Sequence, residues 1–391
     1  MKVYWILVAA LSIGPSLARA AEPLATKIDG TTFAGRLTSI DSAGNLLFAD
    51  SGQRSVPMDQ LAWWGTCNEV RKGPVVILAD GSLLRGDINA CDGKLLDLDS
   101  EIAAAARIPR DAVAGVVFQP PASVADRDKL FHRVAQAHEA SDLLLLQSGD
   151  EITGHMESMD KNKLRITSRL GTLDVATQRA LALVTKREVR GPAPVASDRC
   201  WIGLIDGSRL LANDFHSQGA SLEWKSSFGQ SYKADLADVV FLMPLTQRLT
   251  YVSDITPSEY HFLPFLDIEW PYYSDRNVTG GMLRAGSRLY LKGLGVHSAA
   301  RLTYLLDKPW KMFLAEVAID DSTHGRGSVG FRVFVDGKVK FASGPIRGQM
   351  PPVPVRVDLT AARRLDLVVD YGESGDVLDH ADWLNARLVA K

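Results

Sequence analysis

Cysteine is scarce in this chain, charge is nearly balanced, and long apolar runs are almost missing. Its 391 residues contain three cysteines, Cys67, Cys91 and Cys200. An odd, scattered trio excludes a dense disulfide framework, and no Cys-x-x-Cys or Cys/His spacing suggests zinc. Two states stay open: one bridge with a thiol left over, Cys67 to Cys91 being the simplest pairing, or three buried free thiols. Lysine and arginine number 44 against 46 aspartate and glutamate, a formal net charge of −2. With no basic run or stripe, there is no electrostatic case for nucleic acid or an anionic membrane as a partner. A Walker sequence and a Gly-x-Ser-x-Gly elbow are both missing, which removes the commonest signatures of nucleotide binding and serine hydrolysis.

One apolar run exists, and it stands at the start. Lys2 precedes residues 3–17, which are mostly apolar and broken by Gly14-Pro15, and Ala18-Arg19-Ala20 reads as a small-x-small cleavage site. The run falls short of the roughly 20 residues needed to span a bilayer. The expectation is a signal peptide over residues 1–20 and a mature chain without a transmembrane segment, working outside the cytoplasm: periplasmic, at the cell surface or secreted. Hydrophobic residues make up 46% and charged residues 23%, an ordinary globular balance. The length suits about two to four domains.

A repeated plan follows. Asp29-Gly30-Thr31-Thr32-Phe33-Ala34-Gly35 corresponds to Asp80-Gly81-Ser82-Leu83-Leu84-Arg85-Gly86 and to Ser148-Gly149-Asp150-Glu151-Ile152-Thr153-Gly154. In a fourth copy, Asp206-Gly207-Ser208-Arg209-Leu210-Leu211-Ala212, the second glycine is replaced. Each copy continues with a turn, a period-two strand and a short apolar strand such as Val116-Val117-Phe118 or Val239-Val240-Phe241. Four or five short strands per copy can close into a small barrel, which removes exposed sheet edges. The pattern is similar to Sm-like and SH3-like small barrels. Its glycines read as turn and bulge positions requiring positive φ. Copies one and two occupy residues 21–119 and copies three and four residues 142–246. Between them, residues 120–141 hold an amphipathic helix with Leu130, Phe131, Val134 and Ala137 on one face and Arg127, Lys129, Arg133 and Glu139 largely off it. Arg190-Gly191-Pro192-Ala193-Pro194 marks a linker.

From residue 247 to 391 the repeat is gone. Period-two segments separated by turns, with Asp336-Gly337 as a hairpin signal, predict an antiparallel β-sandwich. The ordered set Val252-Ser253-Asp254, Trp270, Lys292-Gly293-Leu294-Gly295-Val296-His297, Ile319-Asp320-Asp321 and Asp379-His380-Ala381-Asp382-Trp383 resembles the NPCBM family of carbohydrate-binding modules. That resemblance implies a jelly-roll or galactose-binding-like sandwich, a glycan ligand that in some members contains galactose, and in some members a structural calcium. The chain departs from the family at Pro271, after Trp270, and at Thr323-His324-Gly325-Arg326, where the loop is less acidic than a good calcium loop.

A pyranose has one apolar face and a ring of hydroxyls, so it needs an aromatic platform and a few fixed polar groups. Trp270, Tyr273, His297, Asp321, Asp379, His380 and Trp383 are the candidate carbohydrate contacts, with Tyr272 beside them. Each has a structural alternative: Trp383 as core, His297 as a bridge between strands, the aspartates as turn caps, the tyrosines as a packed lid. Asp320, Asp321, Asp379 and Asp382 are the candidate calcium ligands, and calcium is the one cofactor these residue types suggest. The reading is therefore an all-β exported protein whose C-terminal module binds glycan without catalysis. A scaffold in an envelope or extracellular complex is the alternative. Glycoside hydrolysis, with Asp321 and Asp379 as the carboxylate pair, stands third.

Overall fold

The computed structural model describes residues 22–49, 52–187, 199–264, 269–373 and 375–391. The expected signal peptide and the linker at residues 190–194 lie outside the described residues. Strands dominate, with one α-helix, Val124–Gln136, among the described residues. The fold is all-β, and no described helix is long and apolar enough to cross a membrane.

The first two thirds form four units of one design, spanning residues 24–65, 75–117, 142–184 and 199–245. Each opens with a short strand, makes a tight turn into a long bent strand, adds a two-stranded hairpin, passes one 3-10 turn and closes with an apolar strand. The closing strand pairs antiparallel with the opening one in every unit, so each is a small barrel. The tight turn explains the repeated sequence. Gly30, Gly81, Gly149 and Gly207 have φ between 86° and 91°, a region open to glycine. Their amides donate back to Lys27, Leu78, Leu146 and Leu204. The Asp29, Asp80 and Asp206 carboxylates accept from the amides two residues on.

The second repeated glycine has another cause, which corrects the positive-φ expectation. Gly35, Gly86 and Gly154 are absent from the positive-φ glycines. What they need is space: a Cβ on Gly86 would sit 2.6 Å from the Asp99 carbonyl oxygen, and one on Gly154 would strike the Thr167 carbonyl. The bent strand passes too close to its hairpin neighbour for a side chain.

Units join in a nested order, first with fourth and second with third, through their closing strands. Gly115, Val116 and Val117 pair with Val184, Leu183 and Ala182, while Phe241 and Leu242 pair with Gly65 and Trp64. The helix covers the seam between units two and three. Ser123 caps its start, and Leu130 and Val134 reach Val75, Ile77, Val117 and Leu143. Phe131 and Ala137 are partly buried with them. Arg127, expected off this face, is 5% exposed because its guanidinium meets Glu69 at 2.5 Å.

The last third is a sandwich of two six-stranded antiparallel sheets. One contains, in order, Tyr273–Ser274, Gly293–His297, His380–Ala390, Trp310–Ile319 and Val353–Asp358, with Leu249–Tyr251 on the far end of the third. The other contains Glu259–Phe262, Ala300–Leu305, Arg364–Tyr371, Ser328–Val335 and Lys338–Ala342, with Ile346–Arg347 at its edge. The Asp336-Gly337 signal forms its hairpin, with φ of 48° and 75° at the two turn residues. Trp383, Phe313 and Phe331 meet in the core between the sheets. All three cysteines are buried free thiols, so the disulfide option falls away.

Candidate functional site

Alternation along two paired strands creates the site. In Gly293–His297, Leu294 and Val296 enter the core, which turns Gly295 and His297 outward. In the neighbouring strand Ala381 and Trp383 enter the core, which turns His380 and Asp382 outward. His297 and His380 are opposite one another in register. Residues 275–290 fold over much of this outer face. A Cβ on Gly295 would strike the backbone of Arg276 and Asn277, and Leu283, Ala285 and Tyr290 pack on Ala318 and Leu384.

Trp270 reaches the histidine end of the face from a different segment. Its ring lies flat on His297, with centroids 4.7 Å apart and planes 5° apart, and its centroid is 6.2 Å from that of His380. The Tyr260 hydroxyl donates to the Trp270 carbonyl at 2.6 Å and fixes its backbone. Phe262 meets the His297 ring edge-on. The result is a partly exposed indole over two buried imidazoles.

The hydrogen bonds set the imidazole chemistry. His297 Nδ1 lies 3.0 Å from the Ser298 carbonyl, which can only accept, so Nδ1 carries a proton and Nε2 is left to accept while the ring is neutral. His380 Nδ1 lies 3.3 Å from the Ser322 hydroxyl. Burial, then the neighbouring His297, pushes the His380 pKa down and favours its neutral form. Behind the histidines, Asp379 is fully buried and accepts from the Ser298 hydroxyl at 2.6 Å and the Ser328 amide at 3.2 Å. Burial raises its pKa against those bonds.

The proposed contacts therefore divide. Trp270, His297 and His380 come together. Tyr273 is exposed on an edge strand and pairs with Gly295, two residues from His297. Tyr272 packs on Tyr260 with ring centroids 5.0 Å apart, as a lid residue would. Trp383 is corrected to core: it is fully buried between Phe313 and Phe331 because its position in the strand points between the sheets. Asp379 is sealed beneath the surface by its two serine partners. Asp321 lies elsewhere, accepting from the amides of Gly286 and Ser287. Asp321 and Asp379 therefore do not flank a common cleft in the manner of a hydrolase pair.

Of the four acids nominated for calcium, Asp320, Asp321 and Asp382 are neighbours, while Asp379 is held apart by its serine partners. Asp320 accepts from Asn277 Nδ2, the Ser322 amide and the Arg284 amide, which ties the covering segment to the sheet. Asp382 is fully buried beside it, and neither of its oxygens accepts from a donor. Burial, then the Asp320 charge, raises its pKa well above the ordinary aspartate value and favours its protonated form. With Asp321 and Asp379 engaged by other donors, the four carboxylates form no single set. Among the described residues no group of three or more His, Cys, Asp or Glu is arranged to hold a metal ion.

Ser322, Tyr260 and Phe262 support the site and were not anticipated. Ser322 follows Asp320-Asp321 in a turn whose last residue, His324, is left-handed, with φ of 53°. The sequence also holds Gly325-Arg326-Gly327-Ser328-Val329-Gly330, the glycine spacing of a dinucleotide-binding turn. Here it leads into a strand, Ser328–Val335, and not into a helix, so it lacks the amide-rich helix start that binds a pyrophosphate. Gly327 is required because a Cβ would strike the Leu378 carbonyl.

Residues 249–389 match the family described as the NPCBM/NEW2 domain. The sandwich is an NPCBM domain. A protein of Renibacterium salmoninarum, named as a candidate endo-alpha-N-acetylgalactosaminidase, is 30% identical over 110 residues, which are 28% of this chain and 7% of that protein. Alpha-1,3-galactosidase B of Akkermansia muciniphila is 30% identical over 115 residues, 28% of this chain and 14% of that enzyme. The chain thus matches only a small part of these relatives. Among solved structures, a CBM51 module from a Clostridium perfringens protein, in complex with methyl-galactose, aligns with 36% of this chain and 99% of its own. Its identity is 23% and its TM-score 0.33.

Proposed function

We propose that the NPCBM domain of this chain binds a glycan without catalysis, and that Trp270, His297 and His380 form the contact. The arrangement of the indole carries the reading: a partly exposed ring held flat against a buried imidazole, beside a second imidazole. An indole supplies the apolar platform for a sugar ring, and a neutral imidazole nitrogen accepts from a sugar hydroxyl. His297 Nε2 and the Ser322 hydroxyl are the polar groups nearest to that task. Ligands containing galactose are the favoured class, consistent with the name of the Akkermansia relative. The apolar run and small-x-small site at the start of the sequence support export. Such a ledge offers one ring and a few hydroxyl contacts, which leaves little beyond the cost of association.

A glycan array followed by calorimetry on the whole chain tests this. Binding to galactose-terminated glycans is expected, and Trp270→Ala is expected to weaken it at least tenfold, about 1.4 kcal/mol, while thermal melting stays cooperative. A well-folded chain that binds no glycan, or W270A binding as well as the parent, would reject the reading and leave the scaffold alternative.

A further inference from the structure

A second site lies where the barrels, the helix and the sandwich meet. A cavity of about 150 Å³ opens there, bordered by the turn glycines of units two and four, Gly81 and Gly207. Four arginines line it, Arg127, Arg209, Arg276 and Arg284, against two carboxylates, Glu69 and Asp128. Both carboxylates are already committed. Glu69 holds Arg127 and Arg284 at 2.5 Å each, and Asp128 holds Arg284 at 2.6 and 3.0 Å. Asp128 also accepts the Met282 amide at 2.8 Å.

Arg209 and Arg276 are left over. Among the described residues neither has a carboxylate within ion-pair distance. Arg276 Nη1 donates only to the Gly280 carbonyl, at 3.2 Å, and the nearby Asp275 is occupied by Lys292. Arg209 lies beside the Cys67 thiol, which cannot neutralise it while burial keeps that thiol protonated. The two guanidiniums act on each other as like charges, and burial with Arg209 nearby lowers the Arg276 pKa, opposed in part by Asp128. Two uncompensated arginines around a half-enclosed cavity are costly unless an anion joins them.

We propose that this cavity binds a small oxyanion, a sulfate or phosphate group, gripped by Arg209 and Arg276 with their planar donor forks. The fork geometry suits two oxygens of a tetrahedral anion, and a cavity of about 150 Å³ exceeds the space one water needs, enough for such a group. The anion is either free or carried on a monosaccharide. Because Arg209 belongs to unit four and Arg276 to the segment covering the sandwich, the anion joins barrels to sandwich. This site is separate from the Trp270 ledge and does not depend on the glycan reading.

The whole chain is titrated calorimetrically with sodium sulfate, sodium phosphate and galactose 6-sulfate at constant ionic strength, with sodium chloride and galactose as references. Saturable binding of at least one oxyanion is expected, together with a melting temperature that rises with its concentration. Sulfate-limited binding indicates a free anion, and tighter binding of galactose 6-sulfate indicates a sugar-borne one. The double variant R209Q/R276Q is expected to bind at least tenfold more weakly and, relieved of two like charges, to melt no lower than the parent in chloride. W270A is expected to retain the anion. Absence of saturable oxyanion binding to the parent, or parental affinity in R209Q/R276Q, overturns the proposal. So does a chloride-only melt of R209Q/R276Q far below the parent's without any anion effect on the parent, which would make the arginines purely structural.

Discussion

Asp382 and His380 lie two residues apart on the same face of one strand, yet pH acts on them in opposite senses. Asp382 is fully buried, and its folded pKa is raised above the roughly 3.9 of an unfolded aspartate. Below that value both states are protonated and the fold suffers no penalty. As pH rises through the window up to the folded pKa, the unfolded chain gives up a proton that the fold retains, and stability falls. His380 has a folded pKa below the roughly 6.5 of an unfolded histidine. Its contribution is complete above that value and is lost as pH falls toward the folded pKa. Replacing Asp382 by Asn keeps the shape and removes the ionisation, so D382N is expected to melt higher than the parent at pH 8. The two should converge near pH 4. H380Q should flatten the parent's loss of stability below about pH 6.5. Thermal melts across pH 4–8 check both. Trp270, His297 and His380 stood among the seven candidate contacts, and the residue types of this region were readable in the sequence. Which side each residue faces was not. Trp383 and Asp382 are neighbours in a short motif, and only the register with Gly293–His297 and Trp310–Ile319 sends one into the core and the other outward.

At the scale of elements, the tight turns were legible because a polar-glycine pair has one dominant use, supplying positive φ at a strand reversal. The close-approach glycines were not, since crowding by a neighbouring strand leaves no local trace. Gly115 is the sharpest case. It sits in Val113–Val117 where units two and three join, and a Cβ there would lie 2.5 Å from Val134 Cγ1 of the helix and strike the Leu183 carbonyl. Valine at this position has high strand propensity, yet Gly115→Val is expected to cost about 3 kcal/mol or more by forcing helix and seam apart. Gly44, with φ of 79° and open space around its would-be Cβ, provides the control. G44A should cost only about 1–2 kcal/mol for the left-handed conformation. Denaturant unfolding of the two variants distinguishes crowding from backbone conformation. The nested pairing of units was equally hidden. Closing strands such as Val113–Val117 and Val239–Leu245 are apolar on both faces, so their pattern shows burial but names no partner.

Across the whole molecule, the barrels and the sandwich share a core. Ile28, Trp63, Phe241 and Met243 from units one and four meet Leu249, Tyr251, Met312, Leu314 and Val389 from the sandwich. Arg387 is buried at this junction with its guanidinium carbon 4.8 Å from the centre of the Trp63 ring. It has no carboxylate partner within bonding distance among the described residues, and burial lowers its pKa. The indole therefore both fills space and faces a desolvated cation, where a cation–π contact is worth about 2 kcal/mol. Trp63→Ala would open a cavity and leave that charge beside it, so a loss of about 3–5 kcal/mol is expected in chemical denaturation. The Trp270 ledge lies at the other end of the same strand. From His380 to Val389 is nine residues, at most about 30 Å of extended chain. The strand pairs with Gly293–His297 at the histidine end, with Leu249–Tyr251 at the other and with Trp310–Ile319 on its second side, interrupted by a bulge at Asn385 with φ of 48°. Disturbance at Trp63 should therefore reach Trp270 only by loosening the sandwich as a whole. If the sandwich core of Trp383, Phe313 and Phe331 is sufficient to hold the ledge, W63A will lose stability and keep its glycan affinity within about twofold, a difference of roughly 0.4 kcal/mol. Parallel loss of stability and affinity in W63A, measured below its melting transition, would instead make the barrels part of the binding machinery, with the shared core carrying their influence to the histidine end.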